Sequence, residues 1–369
     1  MSRVLERRRH LLHLMREFTL GKGYFTTGEI QSAAGVPRST AQDWINRLIE
    51  EKCVIIRKEQ HGRLPAQYAS MSVMPTSACR KIFTTADEDH IEIYHDCMSP
   101  SCAAFCGFHH SLARGVLTNV TRDGNLLRES AVIGERDVEV GLFPTPAVGV
   151  VGIRRDGDYI VQRIRCTGGP AYSLTDMMAH AKGVREIRID RRGPIVEGRV
   201  YTRALTRLTI GIDDTDSKEG GATFALALAL FQHMSRMEGI LPITHQVAML
   251  YPEISEKTGG NSCSFVQVAA EPDLLSGLPE KIFKFVADEA HSAEWGVAIK
   301  SGLSISPQLR KFAQEARKGV VRKETAETLA RKNGILVQGG RGVIGAVAAV
   351  SLADLPTDIL LDIREDISS

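Results

Sequence analysis

Apolar residues recur at helical spacing at the start of the chain, at Leu5, Leu11, Leu12, Leu14, Met15 and Phe18, until GKGYF interrupts the period. TTGEIQSAAGVPRSTAQDWINRLIEEKCVI then predicts two short helices joined by a tight turn at Ala33-Ala34-Gly35. Thr26 or Thr27 caps the first, with Glu29 at capping-box distance, and Ala41, Trp44, Ile45, Leu48 and Ile49 make the buried face of the second. VIIRKEQHGRLPAQYAS reads as two strands about His61-Gly62. The pattern is least legible over 71–130. It turns to short strands over 131–205, with hairpins about Asp156-Gly157 and Arg192-Gly193-Pro194, and a helix after Thr167-Gly168-Gly169-Pro170. TRLTIGI predicts a buried strand and ATFALALALFQHMSRM a strong helix, so that IDDTDSKEGG between them is a strand-to-helix loop of an α/β unit. ARKGVVRKETAETLARKNG is a mixed-charge helical region read as a solvated face, and TDILLDIREDISS closes a last helix or strand.

A chain of 369 residues exceeds one ordinary core and implies two or three domains. The expected organisation is a multidomain α+β or α/β protein. A winged helix-turn-helix over 1–70 precedes a Cys/His-containing connecting region (71–130), a small α+β domain (131–204) and a mixed-sheet α/β nucleotide-binding domain (205–369). A formal net charge of +2 leaves any basic surface local. The longest apolar runs, such as AVAAV at 346–350, are far shorter than the roughly 20 residues a bilayer needs, and the N-terminus lacks a signal-peptide core. Seven unevenly spread cysteines argue against a disulfide framework, so a reduced, cytoplasmic setting without a membrane partner is expected.

Three groups of residues carry candidate chemistry. The first is the winged helix, whose second helix fits a DNA major groove while its hairpin lies on phosphate. Arg38, Ser39, Thr40, Gln42 and Arg47 are the candidate helix contacts, and Arg57, Lys58 and Arg63 those of the hairpin. Two-fold symmetry at paired half-sites would make such a protein a homodimer. In the second group, Cys97, Cys102 and Cys106 stand close to His109 and His110, with Cys79 upstream. They form a candidate zinc or iron–sulfur site, or equally a buried Cys/Ala/Phe helix face followed by solvated histidines.

The third group is the acidic loop. Asp213, Asp214 and Asp216 crowd like charge at the mouth of a helix, which a divalent cation relieves; magnesium is the natural choice and brings phosphate with it. Lys257, Thr258, Gly259, Gly260 and Asn261 precede a strand, and Gly339, Gly340, Arg341 and Gly342 precede a small-residue helix. Both stretches offer backbone N–H groups and a cation to phosphate oxygens. Together the three describe a magnesium–ATP site, although neither glycine stretch is a Walker motif.

GIDDTDS, KTGGN, WGVAIKSG at 295–302 and GVIGAVAAV, in that order, resemble the kinase-like catalytic domain of archaeal isoleucine-tRNA agmatinylcytidine synthetases over about 205–352. CTGGPAY followed by GIDDTDSKEGGATFALA resembles the eleventh methanogenesis marker family over about 140–352. The resemblance implies an acidic loop at Asp213, Asp214 and Asp216, a Lys-Thr-x-Gly-Asn segment at Lys257, Thr258, Gly260 and Asn261, and a terminal glycine motif at Gly342 and Gly345. Gly221-Ala222-Thr223 stands where the synthetase carries a Cys-Thr-Thr type stretch, and the synthetase's OB-type and zinc-ribbon regions are not expected among these residues.

The resulting expectation is a DNA-binding protein coupled to a magnesium- and ATP-binding domain that transfers a phosphoryl or nucleotidyl group, with Lys257 and Arg341 stabilising the transferred phosphate. Two alternatives stand beside it: a non-catalytic transcription regulator that senses a nucleotide or phosphorylated metabolite, and a tRNA-modifying ATP-dependent enzyme.

Overall fold

The structure, a computed structural model, describes residues 3–62, 64–73, 77–255, 257 and 260–364. The chain divides into two compact units, Met1–Ala78 and Cys79–Ser369. The first contains α1 (Arg3–Lys22), α2 (Thr27–Ala34), α3 (Arg38–Glu50) and an antiparallel pair, β1 (Val54–Lys58) and β2 (Gln67–Ser70). The capping box forms as the sequence predicts: Glu29 N donates to Thr26 Oγ1 at 3.4 Å and Thr26 N donates to Glu29 Oε2 at 2.8 Å. Leu11, Met15, Phe25, Ile30, Ala41, Ile45 and Leu48 close its core. Trp44 is only partly buried on the rim.

In the second unit the described strands join one curled 13-stranded mixed sheet. In chain order come β3 (Cys79–Asp87), β4 (His90–Cys97), α4 (Pro100–Ala113), β5 (Leu117–Asp123), β6 (Leu126–Val132), β7 (Gly134–Glu135), β8 (Val148–Asp156), β9 (Tyr159–Thr167), α5 (Gly168–Asp176), β10 (Val184–Arg192) and β11 (Ile195–Asp213). There follow α6 (Thr223–Met234), β12 (Ile240–Met249), β13 (Ser262–Ala270), α7 (Leu278–Glu289), β14 (Gly296–Ser301), α8 (Pro307–Lys318), α9 (Lys323–Lys332), β15 (Leu336–Gly339), α10 (Val343–Leu352) and α11 (Thr357–Leu361). The stretch over 71–130 therefore contributes strands to the sheet. Its pattern was obscure because β3 and β4 bury consecutive runs, Ile82 to Thr85 and Ile91 to His95, and lose the alternation of a half-exposed strand.

The 19-residue β11 organises this unit. Its first half lies between β9 and β10, Ala204 and Leu205 run parallel to Thr84 and Thr85 of β3, and its last part lies between β13 and β14. The sheet around the acidic loop, β12-β13-β11-β14-β15, is antiparallel throughout. The loop is thus the expected strand-to-helix connection, but in an antiparallel sheet covered by helices on both faces.

Alternation along β11 assigns its side chains to those two layers. Leu208, Ile210 and Ile212 pack with residues of α6 and α7 such as Ala227, Leu230 and Ile282. On the other face α10 lies directly on the strand, since a Cβ at Gly211 would stand 2.0 Å from the Ala346 carbonyl oxygen. Small side chains, Ala346, Ala348 and Ala349, permit this approach, and the described residues of α10 are almost all buried. The close packing brings the first turn of α10 against the last residue of β11, Asp213.

Beyond the other end of the same helix, Asp354 enters a buried charge network. The fully buried Arg207 of β11 donates to Glu92 Oε2 at 2.9 Å, Asp354 Oδ2 at 2.8 Å and the Leu303 carbonyl at 2.7 Å. Arg128 bonds Asp354 Oδ1 at 2.8 Å and also Glu92, and Gln267 Nε2 donates to Asp354 Oδ1 at 3.0 Å. Burial alone would raise the Asp354 pKa, but the two guanidiniums outweigh it and hold the carboxyl below the usual range.

Candidate active-site cleft

The acidic loop starts where β11 ends. Asp214 takes a left-handed conformation at φ +54°, which aspartate tolerates better than most residues and which turns the chain sharply out of the strand. Thr215 is buried and clamps the loop: its carbonyl accepts from His291 N at 2.8 Å and Ser292 N at 3.2 Å, and its N–H donates to Thr223 Oγ1 at 3.2 Å. Thr223, in the first turn of α6, donates its own hydroxyl proton to Asp216 Oδ1 at 3.0 Å. That hydroxyl fixes the direction of one carboxylate.

Asp213 packs against the first turn of α10 so tightly that a Cβ at Gly345 would lie 1.7 Å from its Oδ2. Desolvation is the largest influence on this carboxyl, and the neighbouring Asp214 and Asp216 add to it, so its pKa stands well above the ordinary carboxylate range. Burial also raises Asp214, against the opposing pull of Arg341, whose Nη2 is 3.5 Å from Asp214 Oδ2. Arg341 is held in turn through its backbone, which donates to Glu294 Oε2 at 2.8 Å. Burial and mutual repulsion therefore disfavour the charged forms of Asp213 and Asp214, and Arg341 compensates them only in part.

One cleft brings the three sequence-predicted segments together. Asp213, Asp214, Asp216, Arg341, Gly342 and Gly345 line one side, and Lys257, Gly260 and Asn261 another. Gly340 is not among the lining residues, and Thr258 and Gly259 lie outside the described residues. The Lys257 ammonium bonds the Pro252 carbonyl, and Asn261 Nδ2 donates to the Tyr251 carbonyl at 2.8 Å. The remaining wall is largely apolar, with Leu250, Tyr251, Ile254, Val320, Val321 and Ile344. Sequence reasoning missed this wall, together with Thr223 and Glu294. Val320-Val321 inside a charged run and a glutamate just ahead of WGVAIKSG were the available hints.

The cysteines go elsewhere. Cys97 lies opposite Cys79 across β3 and β4, and a thiol hydrogen bond from Cys79 lowers the Cys97 pKa. Both belong to a core cluster against which Cys102 packs, and burial pushes Cys106 up to about 12. His109 Nδ1 accepts from Ala147 N at 3.1 Å between the rings of Phe105 and Phe108. Among the described residues no group of three or more His, Cys, Asp or Glu side chains is disposed to hold a metal ion, so Cys97, Cys102, Cys106 and His109 do not form a ligand set. His110 is buried against Glu129 rather than solvated.

Residues 209–292 match the family model described as the TiaS TCKD domain. Among relatives, the chain is 29% identical over 274 residues to an uncharacterized protein of Methanocaldococcus jannaschii, covering 72% of this chain and 89% of that one. It is 32% identical over 150 residues to TiaS of Pyrococcus horikoshii, a 2-agmatinylcytidine synthetase acting on an isoleucine tRNA, covering 39% of this chain and 35% of that enzyme. The chain thus spans about a third of the synthetase's length. The solved complex of TiaS with its isoleucine tRNA and ATP matches with 28% identity and a TM-score of 0.37, over 40% of this chain and 36% of the other.

These relatives overturn the expectation of a DNA-binding transcription regulator, because the functions they carry concern tRNA modification. The first unit gives the physical reason why its pattern misled. Gln42 is occupied by Thr27, Asn46 and Tyr68, Arg47 pairs with Glu51 and lies 5.4 Å over Trp44, and Arg57 donates to the Gly23 carbonyl at 2.6 Å. Arg38, Ser39, Thr40 and Lys58 remain at or near the surface, as on any polar helix or strand, and Arg63 lies outside the described residues. Among the described residues no helix is long and apolar enough to cross a membrane.

Proposed function

We propose that the chain is an ATP-dependent RNA-modifying enzyme whose nucleotide binds in the cleft between the ends of β11 and α10. The observation that carries this reading is convergence: Asp213, Asp214 and Asp216, Lys257 and Asn261, Val320 and Val321, and Arg341 and Gly345, far apart in sequence, line one cleft with charged and apolar parts. A nucleotide has the same division. Its base suits the wall of Leu250, Tyr251, Ile254 and Val321, and its phosphates suit Arg341, Lys257 and the first turn of α10.

The under-compensated carboxylates support magnesium as the accompanying ion. Asp213 and Asp216 would hold it; magnesium usually takes only one or two protein carboxylates beside phosphate oxygens and water, so no preassembled three-residue cluster is needed. When bound, it would neutralise phosphate charge. Arg341 and Lys257 orient the transferred group, and Thr223 keeps Asp216 aimed into the cleft. The tRNA-modifying synthetases at 32% identity support RNA as the acceptor class, whereas agmatine is not carried over from enzymes matched over 35% of their length. The 205–369 segment is read as the GIDDTD nucleotide-binding domain, and 1–70 as a winged helix without a DNA role.

The test is ATP consumption by the purified full chain with unfractionated tRNA. Turnover stimulated by RNA and abolished in Asp213→Asn supports the reading. Turnover at the wild-type rate in that variant, or no ATP binding at all, overturns it.

A further inference from the structure

One stretch of sheet away from the nucleotide cleft carries a local excess of positive charge. Residues 148–203, which hold β8, β9, β10 and the first half of β11, contain eleven Lys and Arg against six Asp and Glu, while the whole chain has a net charge of +2. The remainder is therefore net acidic. One face of these strands is core, with Ile160, Ile164, Cys166, Val196 and Val200 buried. The other face carries the arginines, and pairing register fixes which of them are neighbours.

Arg163 of β9 lies directly opposite Arg199 of β11, and Arg199 directly opposite Arg188 of β10. Three guanidinium-bearing residues thus form one unbroken row across adjacent strands, about 4.8 Å apart per step. Like charges directly opposite in a sheet are destabilising. Arg163 and Arg188 are partly relieved by Glu135 at 3.1 Å and Glu186 at 2.8 Å. The exposed Arg199 between them has no acidic partner among the described residues. The adjoining row holds Glu197 and Asp190, but these are taken by Arg165 at 2.6 Å and Arg192 at 3.3 Å. A depression on this face is lined by four arginines, Arg154, Arg163, Arg192 and Arg199, against three carboxylates, Glu135, Asp190 and Glu197.

We infer that this arginine-rich sheet face is a docking surface for the phosphodiester backbone of RNA. Guanidinium forks match phosphate oxygens in a bidentate manner, and a polyanion removes the repulsion stored in the central row. The face also lacks what a protein partner needs. Among its described residues no large apolar side chain is exposed, and Tyr201 is buried beneath Arg188, whose guanidinium lies 4.8 Å from the ring centre. The contacts are to backbone, so binding should be sequence-tolerant and strongly salt-dependent. The cleft and this surface share no lining residue, and the inference does not depend on ATP chemistry.

The experiment is anisotropy of labelled unfractionated tRNA titrated with the full chain at several salt concentrations. For R163Q/R199Q we expect at least about tenfold weaker binding at low salt and a salt slope reduced by roughly 1.5–2, the loss of two phosphate contacts. R199K should keep the wild-type slope, and unchanged Mg–ATP binding by the double variant shows that it is folded. R199Q alone should raise the low-salt Tm without RNA, since it removes the repulsive centre. The surface assignment is overturned by unchanged affinity and slope in R163Q/R199Q, by wild-type protein that does not bind tRNA, or by poly-glutamate displacing tRNA at matched charge. RNA binding that depends on these arginines without RNA-stimulated ATP turnover would support the surface and count against the enzymatic reading alone.

Discussion

The two ends of α10 stand beside aspartates in opposite states. At its N-terminal end, burial and neighbouring carboxylates raise Asp213, and the nearby guanidinium of Arg341 is drawn to Asp214. Beyond its C-terminal end, Asp354 keeps its side chain 19% exposed, and Arg207 and Arg128 hold it ionised. One helix thus separates a carboxylate paired with two guanidiniums from one that burial and neighbouring carboxylates disfavour in its charged form. The first holds sheet and helices together; the second is where a charged ligand would supply what the protein does not.

The comparison breaks most easily at the compensated end. Arg207→Met should leave the buried Glu92 and the partly exposed Asp354 with Arg128 as their remaining guanidinium and destabilise the protein by about 3–5 kcal/mol in chemical denaturation. A loss below about 1 kcal/mol would mean that the network is ornamental. At the other end, Gly345→Ala should lower ATP turnover by about 100-fold with the fold retained, because its Cβ would stand 1.7 Å from Asp213 Oδ2 and force the carboxylate aside. Retained turnover would show that Asp213 need not sit where it does. Thr223→Val removes the hydroxyl that aims Asp216 and accepts from the buried Thr215 N–H, and should reduce turnover by about tenfold at a stability cost of about 1–3 kcal/mol. Steady-state kinetics and a melting curve on one preparation decide it.

The smallest effect is a pH dependence of opposite sign at the two ends. Asp354 is lowered, so its contribution is present above the ordinary carboxylate pKa of about 3.9 and is lost as pH falls through its folded value. Asp213 is raised, so the folded state binds the extra proton, and stability declines as pH rises from about 3.9 through its folded value. Asp213→Asn should therefore stabilise the ligand-free protein by about 1 kcal/mol at neutral pH and remove that decline. Melting temperatures of wild type and variant across pH 4–8 measure it; identical profiles would show Asp213 to be compensated after all.

Much of this site was legible because its parts are local. Aspartates between a strand and a helix, and glycines ahead of a helix, mark loops whatever the tertiary arrangement, and β8, β9, α6, α9 and α10 follow from short-range periodicity. What was hidden depends on partners distant in sequence. Nothing in the period of β11 says that β13 and β14 flank it antiparallel, or that Arg207 meets Glu92 and Asp354. Val320 and Val321 read as solvated because their neighbours are charged, yet they form part of the cleft wall. The DNA expectation failed for a related reason: polar side chains on a short helix look available until the bonds of Gln42 and Arg57 within their own unit are seen.

The most direct test of the under-compensated end is calorimetric titration of Mg–ATP into wild-type protein and Asp213→Asn. The account predicts saturable, magnesium-dependent binding by the wild type, and at least about tenfold weaker binding by the variant despite its higher thermal stability. Equal affinity in the two proteins would contradict it.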